Sequence, residues 1–257
     1  MPDAPSAVWT PSPAAHASAR MARFFTRVSA ADGTAPPADA PYVTWHRWSC
    51  EHPERFWPAV WREAAIVADS DGPPESVLVG GNHMRPPGPD GPRWFPGARL
   101  NAAENLLRPG GDGPAIIARD EAGRRRAIAH ADLRDWSGRV AAALQRDGVA
   151  EGHVVAGFMP NVPEAVMGML GATTIGAVWT SCSPDFGARG VLDRFGQVGP
   201  RVLICADGYR YAGHDIDCLP RIREIVDAIP AIVRVVIVPF LRPAMTAADL
   251  AGIRGAA

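Results

Sequence analysis

The feature that most constrains this chain is a repeated alternation of short apolar runs with amphipathic segments between residues 130 and 238. Each run has strand length, and each intervening segment has helical spacing of its apolar residues. Strands that are covered by helices on both faces appear in sequence as continuous apolar runs. We therefore predict an α/β fold: a doubly wound, mainly parallel sheet with flanking helices. The predicted strands are His153–Pro160, Ala177–Thr180, Arg201–Cys205 and Val233–Val238.

The predicted helices carry recognisable ends. His130–Gly148 has one apolar face and ends at Gly148, a residue suited to a helix stop. In Asn161–Gly176 the pair Asn161 and Glu164 has capping-box spacing, which predicts Asn161 as the N-cap. Two further helices are predicted at Gly187–Val198 and Pro220–Ile229.

The part before residue 130 has a different character. Residues 1–40 are rich in Ala, Pro and Ser and are predicted to form a flexible N-terminal arm. Residues 41–110 read as an irregular and helical segment with aromatic residues at helix-like spacing, a cap at Ser49 and a short helix capped by Asn101. Ala115–His130 reads as a β-hairpin, and the partial α/β domain is predicted over 111–257.

Composition excludes several classes of function. The formal net charge of −1 provides no field that would attract nucleic acid or an anionic membrane. We find no apolar run of membrane-spanning length. The four cysteines show no zinc-ligand spacing, so we expect reduced thiols, no metal site and a cytoplasmic location.

Ligands of open parallel sheets bind beyond the carboxyl ends of the strands. Three predicted loops lie there: Met159–Asn161, Thr180–Gly187 and Ala206–His214. None carries the glycine fingerprint of dinucleotide sites, the lysine-bearing phosphate loop or the nucleophile elbow of hydrolases. All 26 basic residues are arginine, so no step that needs a lysine is available within these residues.

Ser181, Cys182 and Ser183 form an unusual row of small polar side chains. One interpretation is a nucleophile, but no spacing pairs them with a histidine base. A second is a loop that lies close to a ligand, and a third is an ordinary turn.

The loop after Cys205 contains an arginine between two tyrosines, followed by glycine and histidine. Such residues hold a phosphate and stack on a planar base, although an exposed loop with a cation–π pair is an equal alternative. The candidate residues are Arg210, Tyr211, Gly213 and His214.

Several stretches together resemble the adenylate-forming acyl-CoA synthetases, and within them the acetoacetyl-CoA synthetases, also called acetoacetate–CoA ligases. The resemblance runs from about Trp9 to the last residue. It is carried by RWSCEHPERFWPAVW (Arg47–Trp61), RWFPGARLNAAENLL (Arg93–Leu107), AVWTSCSPDFG (Ala177–Gly187) and VLICADGYRYAGH (Val202–His214).

The resemblance implies a two-step ligase reaction. ATP, with Mg²⁺, and acetoacetate or a related short 3-oxo acid would form an acyl-adenylate and pyrophosphate, and coenzyme A would then displace AMP. Arg210 and its neighbours would lie near the coenzyme A phosphates, and His214 stands where a lysine is expected. Ser181–Ser183 would be a ligand-proximal loop without a catalytic group.

Members of the resembled family are far longer, and their lysine-bearing phosphate loop lies beyond the residues present here. We therefore expect the N-terminal, truncated part of a larger domain, inactive alone, with no tightly bound cofactor and with self-association through an exposed sheet edge. The alternative is a non-catalytic module that binds coenzyme A or a nucleotide, or one half of a split enzyme.

Overall fold

A computed structural model describes residues 8–70, 72–81, 86, 91–108 and 110–256. The chain divides into two compact units, Met1–Leu100 and Asn101–Ala257. The predicted three-part division of the chain at residues 40 and 110 remains a prediction.

The first unit is mainly helical. Its elements are α1 (Pro13–Ser18), α2 (Arg20–Ala31), α3 (Tyr42–Glu51), α4 (Pro53–Glu63) and the antiparallel pair β1 (Leu78–Val79) and β2 (Arg93–Trp94). Ser12 caps α1 with its side chain, and Pro13 occupies the first helical position, where its missing N–H costs nothing.

An aromatic cluster forms the core of this unit. Phe24 and Val28 of α2 are buried with Trp45 and Trp48 of α3, and the ring of Phe25 stacks on Trp45 with centroids 4.1 Å apart. The predicted flexible arm therefore contains a packed helix. The cap predicted at Ser49 is wrong: Ser49 lies inside α3, and its hydroxyl donates to the carbonyl of His46.

The second unit is the α/β part. Its elements are α5 (Ala102–Leu106), β3 (Ile116–Arg119), β4 (Arg125–Ile128), α6 (His130–Arg146), β5 (Val154–Phe158), α7 (Pro163–Thr174), β6 (Val178–Cys182), α8 (Ala188–Val198), β7 (Val202–Ala206), β8 (Gly208–Tyr211), β9 (His214–Asp217), α9 (Leu219–Ala228) and β10 (Arg234–Val238). The side chain of Asn101 caps α5 by accepting from the Glu104 amide, as predicted.

The four longer strands of this unit form one parallel sheet in the order β10-β7-β5-β6. Alternate strand residues face opposite sides. Phe158 and Leu203 pack with the helices α8 and α9, while Val155 and Ile204 pack with α6 and α7. Both faces are therefore buried, and the predicted doubly wound, parallel fold class is confirmed.

Two predicted details differ from the structure. The N-cap of α7 is Val162 rather than Asn161, because Pro163 takes the first helical position. The predicted loop Ala206–His214 is largely a β-hairpin, in which β8 pairs with β9. Its strands are short and half exposed, so they lack the apolar run by which the sheet strands are recognised.

No helix in the described part of the chain combines the length and the hydropathy needed to cross a membrane.

Candidate functional site

The carboxyl edge of the sheet contains a topological switch point between β5 and β7. These strands are neighbours, but the helix after β5 packs on one face of the sheet and the helix after β7 packs on the other. The chain therefore diverges here and leaves room for a ligand between the two loops.

Asp207, the first residue after β7, organises this edge. Its side chain is fully buried, and its carboxylate accepts the backbone N–H groups of Phe240, Leu241 and Arg242 at 2.5, 3.0 and 2.8 Å. A buried carboxylate is tolerated only when such donors replace its lost water. We call this arrangement the Asp207 clasp; it joins the loop after β7 to the loop after β10.

Arg242 extends the clasp toward the hairpin β8–β9. Its guanidinium lies 3.4 Å from the Asp207 carboxylate and 2.8 Å from the Asp217 carboxylate. The hydrogen bond to Asp217 is the main cause that raises the pKa of Arg242. Asp217 in turn accepts from the amide of Leu219, the first residue of α9, at 2.9 Å.

The row Ser181–Ser183 is divided between a strand and a loop. Ser181 and Cys182 are the last two residues of β6, and only Ser183 follows the strand. The Cys182 side chain is 5% exposed and packs in the core beside α8. Ser183 is exposed, and its hydroxyl donates to Asp185 at 3.0 Å.

This geometry does not support a nucleophile among these residues. Burial raises the pKa of the Cys182 thiol, which disfavours the reactive thiolate. His153 directly precedes β5 and accepts from the Ala150 amide at 3.1 Å, so this histidine lies at the opposite edge of the sheet.

The loop after β6 is held from outside by two side chains. Arg221 of α9 donates to the carbonyls of Pro184 and Phe186. Tyr209 hydrogen-bonds Asp185; burial first, and then this bond, raises its pKa. The cation–π pair of this region joins Arg194 to Phe186 at 4.2 Å rather than involving Arg210. Side chains outside the loop, Arg221 and Tyr209, therefore help to fix its conformation.

The candidate residues of the second segment surround the tip of the hairpin β8–β9. Arg210 and Tyr211 end β8, Ala212 and Gly213 form the turn, and His214 begins β9. Both turn residues have positive φ, 49° for Ala212 and 78° for Gly213. This is the backbone of a tight two-residue hairpin turn, for which glycine is suited and alanine is strained.

The turn is occupied by a carboxylate of the same chain. Glu121, in the turn between β3 and β4, accepts the N–H of Ala212 at 3.0 Å and that of Gly213 at 3.2 Å. Arg210 is paired as well, since its Nε lies 2.6 Å from Asp215. That pair raises the pKa of Arg210 and lowers the pKa of Asp215.

A cavity of about 520 Å³ opens at this tip and is lined by Glu121, Ala122, Arg210, Gly213, His214 and Asp215. A smaller cleft of about 230 Å³ lies at the sheet edge itself, between the β3–β4 hairpin, the start of α7 and Pro239–Phe240. Arg124 and Arg126 line the smaller cleft, and each is paired with a carboxylate. Arginine side chains therefore line both sites, and carboxylates already partly satisfy them.

The structure brings Arg210, Tyr211, Gly213 and His214 together at one hairpin tip, whereas Ser181–Ser183 end a different strand. Sequence reasoning missed Asp207 and Glu121. An acidic residue directly after an apolar strand was a usable signal for Asp207. Glu121 carried none, because its partners are 91 and 92 residues away in sequence. Within the described residues no cluster of three or more metal-ligating side chains occurs.

The family described as AMP-binding enzyme matches residues 104–252, and that described as acetyl-coenzyme A synthetase N-terminus matches residues 42–106. The acetoacetyl-coenzyme A synthetase of Rhizobium meliloti (strain 1021) is 41% identical over 78% of this chain and 29% of its own length. The acetoacetyl-CoA synthetase of Macaca fascicularis is 35% identical over 86% of this chain and 32% of its own length.

Among solved structures, the acetoacetyl-CoA synthetase from Streptomyces lividans matches with a TM-score of 0.84 and 37% identity. The match covers 98% of this chain and 37% of that one. The chain thus spans about a third of the length of the relatives it matches, and the predicted resemblance to acetoacetyl-CoA synthetases is confirmed. This chain belongs to the AMP-binding enzyme family, as a region of acyl-CoA ligase type.

Proposed function

We propose that this chain is the N-terminal portion of an acetoacetate–CoA ligase. The whole enzyme would convert acetoacetate, ATP and coenzyme A to acetoacetyl-CoA, AMP and pyrophosphate. The observation that carries the proposal is the similarity to acetoacetyl-CoA synthetases across nearly the whole chain, at 37% identity to a structure of the same fold.

We further infer that these residues alone do not catalyse adenylate formation. Phosphoryl and adenylyl transfer needs cations beside the phosphate oxygens, commonly a lysine and Mg²⁺. The chain has no lysine, and the described residues hold no cluster that would bind a metal. ATP, Mg²⁺ and a short 3-oxo acid are therefore substrates of the proposed whole enzyme, with no tight binding expected here.

The test is ATP–pyrophosphate exchange driven by acetoacetate. The 257-residue chain is expected to show only background exchange. Exchange above background would refute the inference of inactivity. Translation of the gene beyond codon 257 tests the wider proposal, which expects a lysine-bearing, Ser/Thr/Gly-rich phosphate loop downstream.

For coenzyme A we propose the hairpin tip, with Arg210 and the Gly213 amide facing the phosphates and with Tyr211 and His214 beside them. The support is that Arg210, Gly213 and His214 line one cavity of about 520 Å³, and that Tyr211 pairs with His214 at the same hairpin tip. Ser181–Ser183 are proposed only as a region near the ligand, with Ser181 and Ser183 as its exposed members. Replacement of Arg210 by Gln is expected to weaken binding of coenzyme A, measured by calorimetry.

A second candidate function is a non-catalytic module that binds coenzyme A or pairs with a separately encoded remainder. The absence of lysine favours it, because binding needs arginines and amides but not a catalytic lysine. Saturable binding of coenzyme A without a downstream coding frame would favour this candidate. A cytoplasmic location remains a prediction for either function, to be checked by fractionation.

Self-association through the sheet edge is proposed at β10. Among the described residues this strand pairs along its length only with β7, and on its other side Val235 donates to the carbonyl of Gly255. An apolar groove of about 480 Å³ lies beside its carboxyl half, lined by Ile237, Met245, Leu250 and Ile253 among others. Open edges beside apolar surface promote pairing between chains. A constant monomer mass in light scattering over a concentration series would contradict this.

A further inference from the structure

The contact between Glu121 and the hairpin turn has the form of an occupied anion site. Two consecutive amides, those of Ala212 and Gly213, converge on the two oxygens of one carboxylate at 3.0 and 3.2 Å. Backbone amides gathered by a turn with unusual φ values form concavities that bind anions, phosphate among them. The turn has this property whichever anion fills it.

The charges around the tip show what a second anion would meet. Arg210 is 2.6 Å from Asp215, and Asp120 and Glu121 add to the negative surroundings that raise its pKa. Asp120 is itself paired with Arg124 at 2.6 Å, so Glu121 is the carboxylate at the tip without an arginine partner in the described structure. A phosphate that enters with Glu121 in place meets both repulsion and amides that are already bonded.

The position of Glu121 allows its side chain to move away from the β8–β9 turn. It lies in the exposed turn between β3 and β4, and Gly123 in the same turn has φ of 77°. Its side chain is exposed, so water replaces the lost amide bonds when it swings out. Exposed turns of this kind open at low free-energy cost compared with the core of a domain.

We propose that Glu121 is a built-in anionic latch on the β8–β9 turn, and that a phosphate group of an incoming ligand displaces it to bind the Ala212 and Gly213 amides beside Arg210. The inference rests on the proposed coenzyme A site and adds its regulation: the site is self-occupied until a phosphate competes. No covalent bond is made or broken; one anion replaces another as the acceptor of the two amide hydrogen bonds.

Calorimetry of the 257-residue chain with adenosine 3′,5′-bisphosphate tests the latch. Glu121→Gln keeps the shape of the side chain and removes its charge. The Kd is expected to fall about threefold to tenfold, because an exposed carboxylate no longer competes with the phosphate for the two amides. Glu224→Gln, on the exposed face of α9, removes the same formal charge elsewhere and is the matched control. Its Kd is expected to stay within about twofold of the unmodified chain.

Amide NMR locates the effect. Titration with inorganic phosphate at constant ionic strength is expected to shift the Gly213 and Ala212 amide signals at lower phosphate concentration in Glu121→Gln than in the unmodified chain. Equal affinity of Glu121→Gln and the unmodified chain would overturn the latch. So would the absence of any phosphate shift at these two amides in either protein.

The outcomes separate the two proposals. If Glu121→Gln binds the bisphosphate more tightly but the whole enzyme shows no acetoacetate-dependent exchange, the latch holds and the ligase proposal fails. If exchange is found but Glu121→Gln binds no better, the ligase proposal holds and the latch fails.

Discussion

Two carboxylates of the α/β unit both accept backbone amide hydrogen bonds, one in a buried and the other in an exposed position. Asp207 is fully buried and accepts three consecutive amides of the loop after β10, whereas Glu121 is exposed and accepts two amides of the β8–β9 turn. Loss of the Asp207 contacts would leave a buried charge or three buried amides without hydrogen-bond partners, which is strongly destabilising. Water replaces every bond that Glu121 loses. Burial, rather than the number of bonds, therefore makes the Asp207 contact structural and the Glu121 contact exchangeable.

The largest effect is expected for Asp207→Asn. The amide side chain keeps the volume but turns an NH₂ group toward backbone donors in a buried site. We expect a loss of about 3 kcal/mol in the free energy of unfolding, measured by urea denaturation. A loss below about 1 kcal/mol would mean that water reaches the clasp and that the comparison with Glu121 fails.

An intermediate effect is expected for Arg242→Met, which keeps the apolar stem and removes the guanidinium. Arg242 is about one third exposed and contacts both Asp207 and Asp217. We expect a loss of about 1 kcal/mol, because water screens one of its two contacts. Urea denaturation of the Asp207→Asn, Arg242→Met double variant should show less than the sum of the single losses, since the residues share one network.

A small effect on stability is expected for Glu121→Gln, within about 0.5 kcal/mol, although it alters phosphate binding as described above. Thermal unfolding measures it. A loss as large as that of Asp207→Asn would show that the latch is a structural contact, and it would remove the distinction between the two carboxylates.

The smallest expected effect is a change in the pKa of one carboxyl group, that of Asp215. The hydrogen bond from Arg210 holds the pKa of Asp215 below its ordinary value. A lowered folded-state pKa contributes stability above the unfolded pKa of about 3.9, and this contribution is lost as the pH falls through the folded pKa. In Arg210→Gln the Asp215 pKa is expected to rise toward its ordinary value, measured by carboxyl NMR titration. An unchanged pKa would mean that the pair does not persist in solution.

Predictability differed sharply between the sheet and its edge. The apolar runs located β5, β6, β7 and β10, most clearly the interior strands β5 and β7, because a strand buried on both faces is apolar throughout. The sequence of the hairpin β8–β9 predicts a loop, since its short and half-exposed strands carry no such run. The capping assignment at Asn161 failed because Pro163 moved the helix start by one residue.

The candidate site was predictable only where its residues are neighbours in sequence. Arg210, Tyr211, Gly213 and His214 adjoin in sequence, and a hairpin turn keeps adjacent residues together. The sequence predicts a loop from Thr180, whereas β6 continues to Cys182 and strand alternation turns the Cys182 side chain into the core; the nearness of Ser181–Ser183 to a ligand stays a prediction.

The sequence by itself determined the α/β class, the positions of the four sheet strands, the family resemblance and the absence of lysine, because these depend on local periodicity and residue identity. Only the tertiary structure decided that Asp207 closes the sheet edge and that Glu121 fills the hairpin turn. Both contacts join groups separated by 33 to 92 residues, and their meaning depends on whether water reaches them. The sequence does not show that residues so far apart meet in space, nor whether water reaches them, because both depend on how the chain packs.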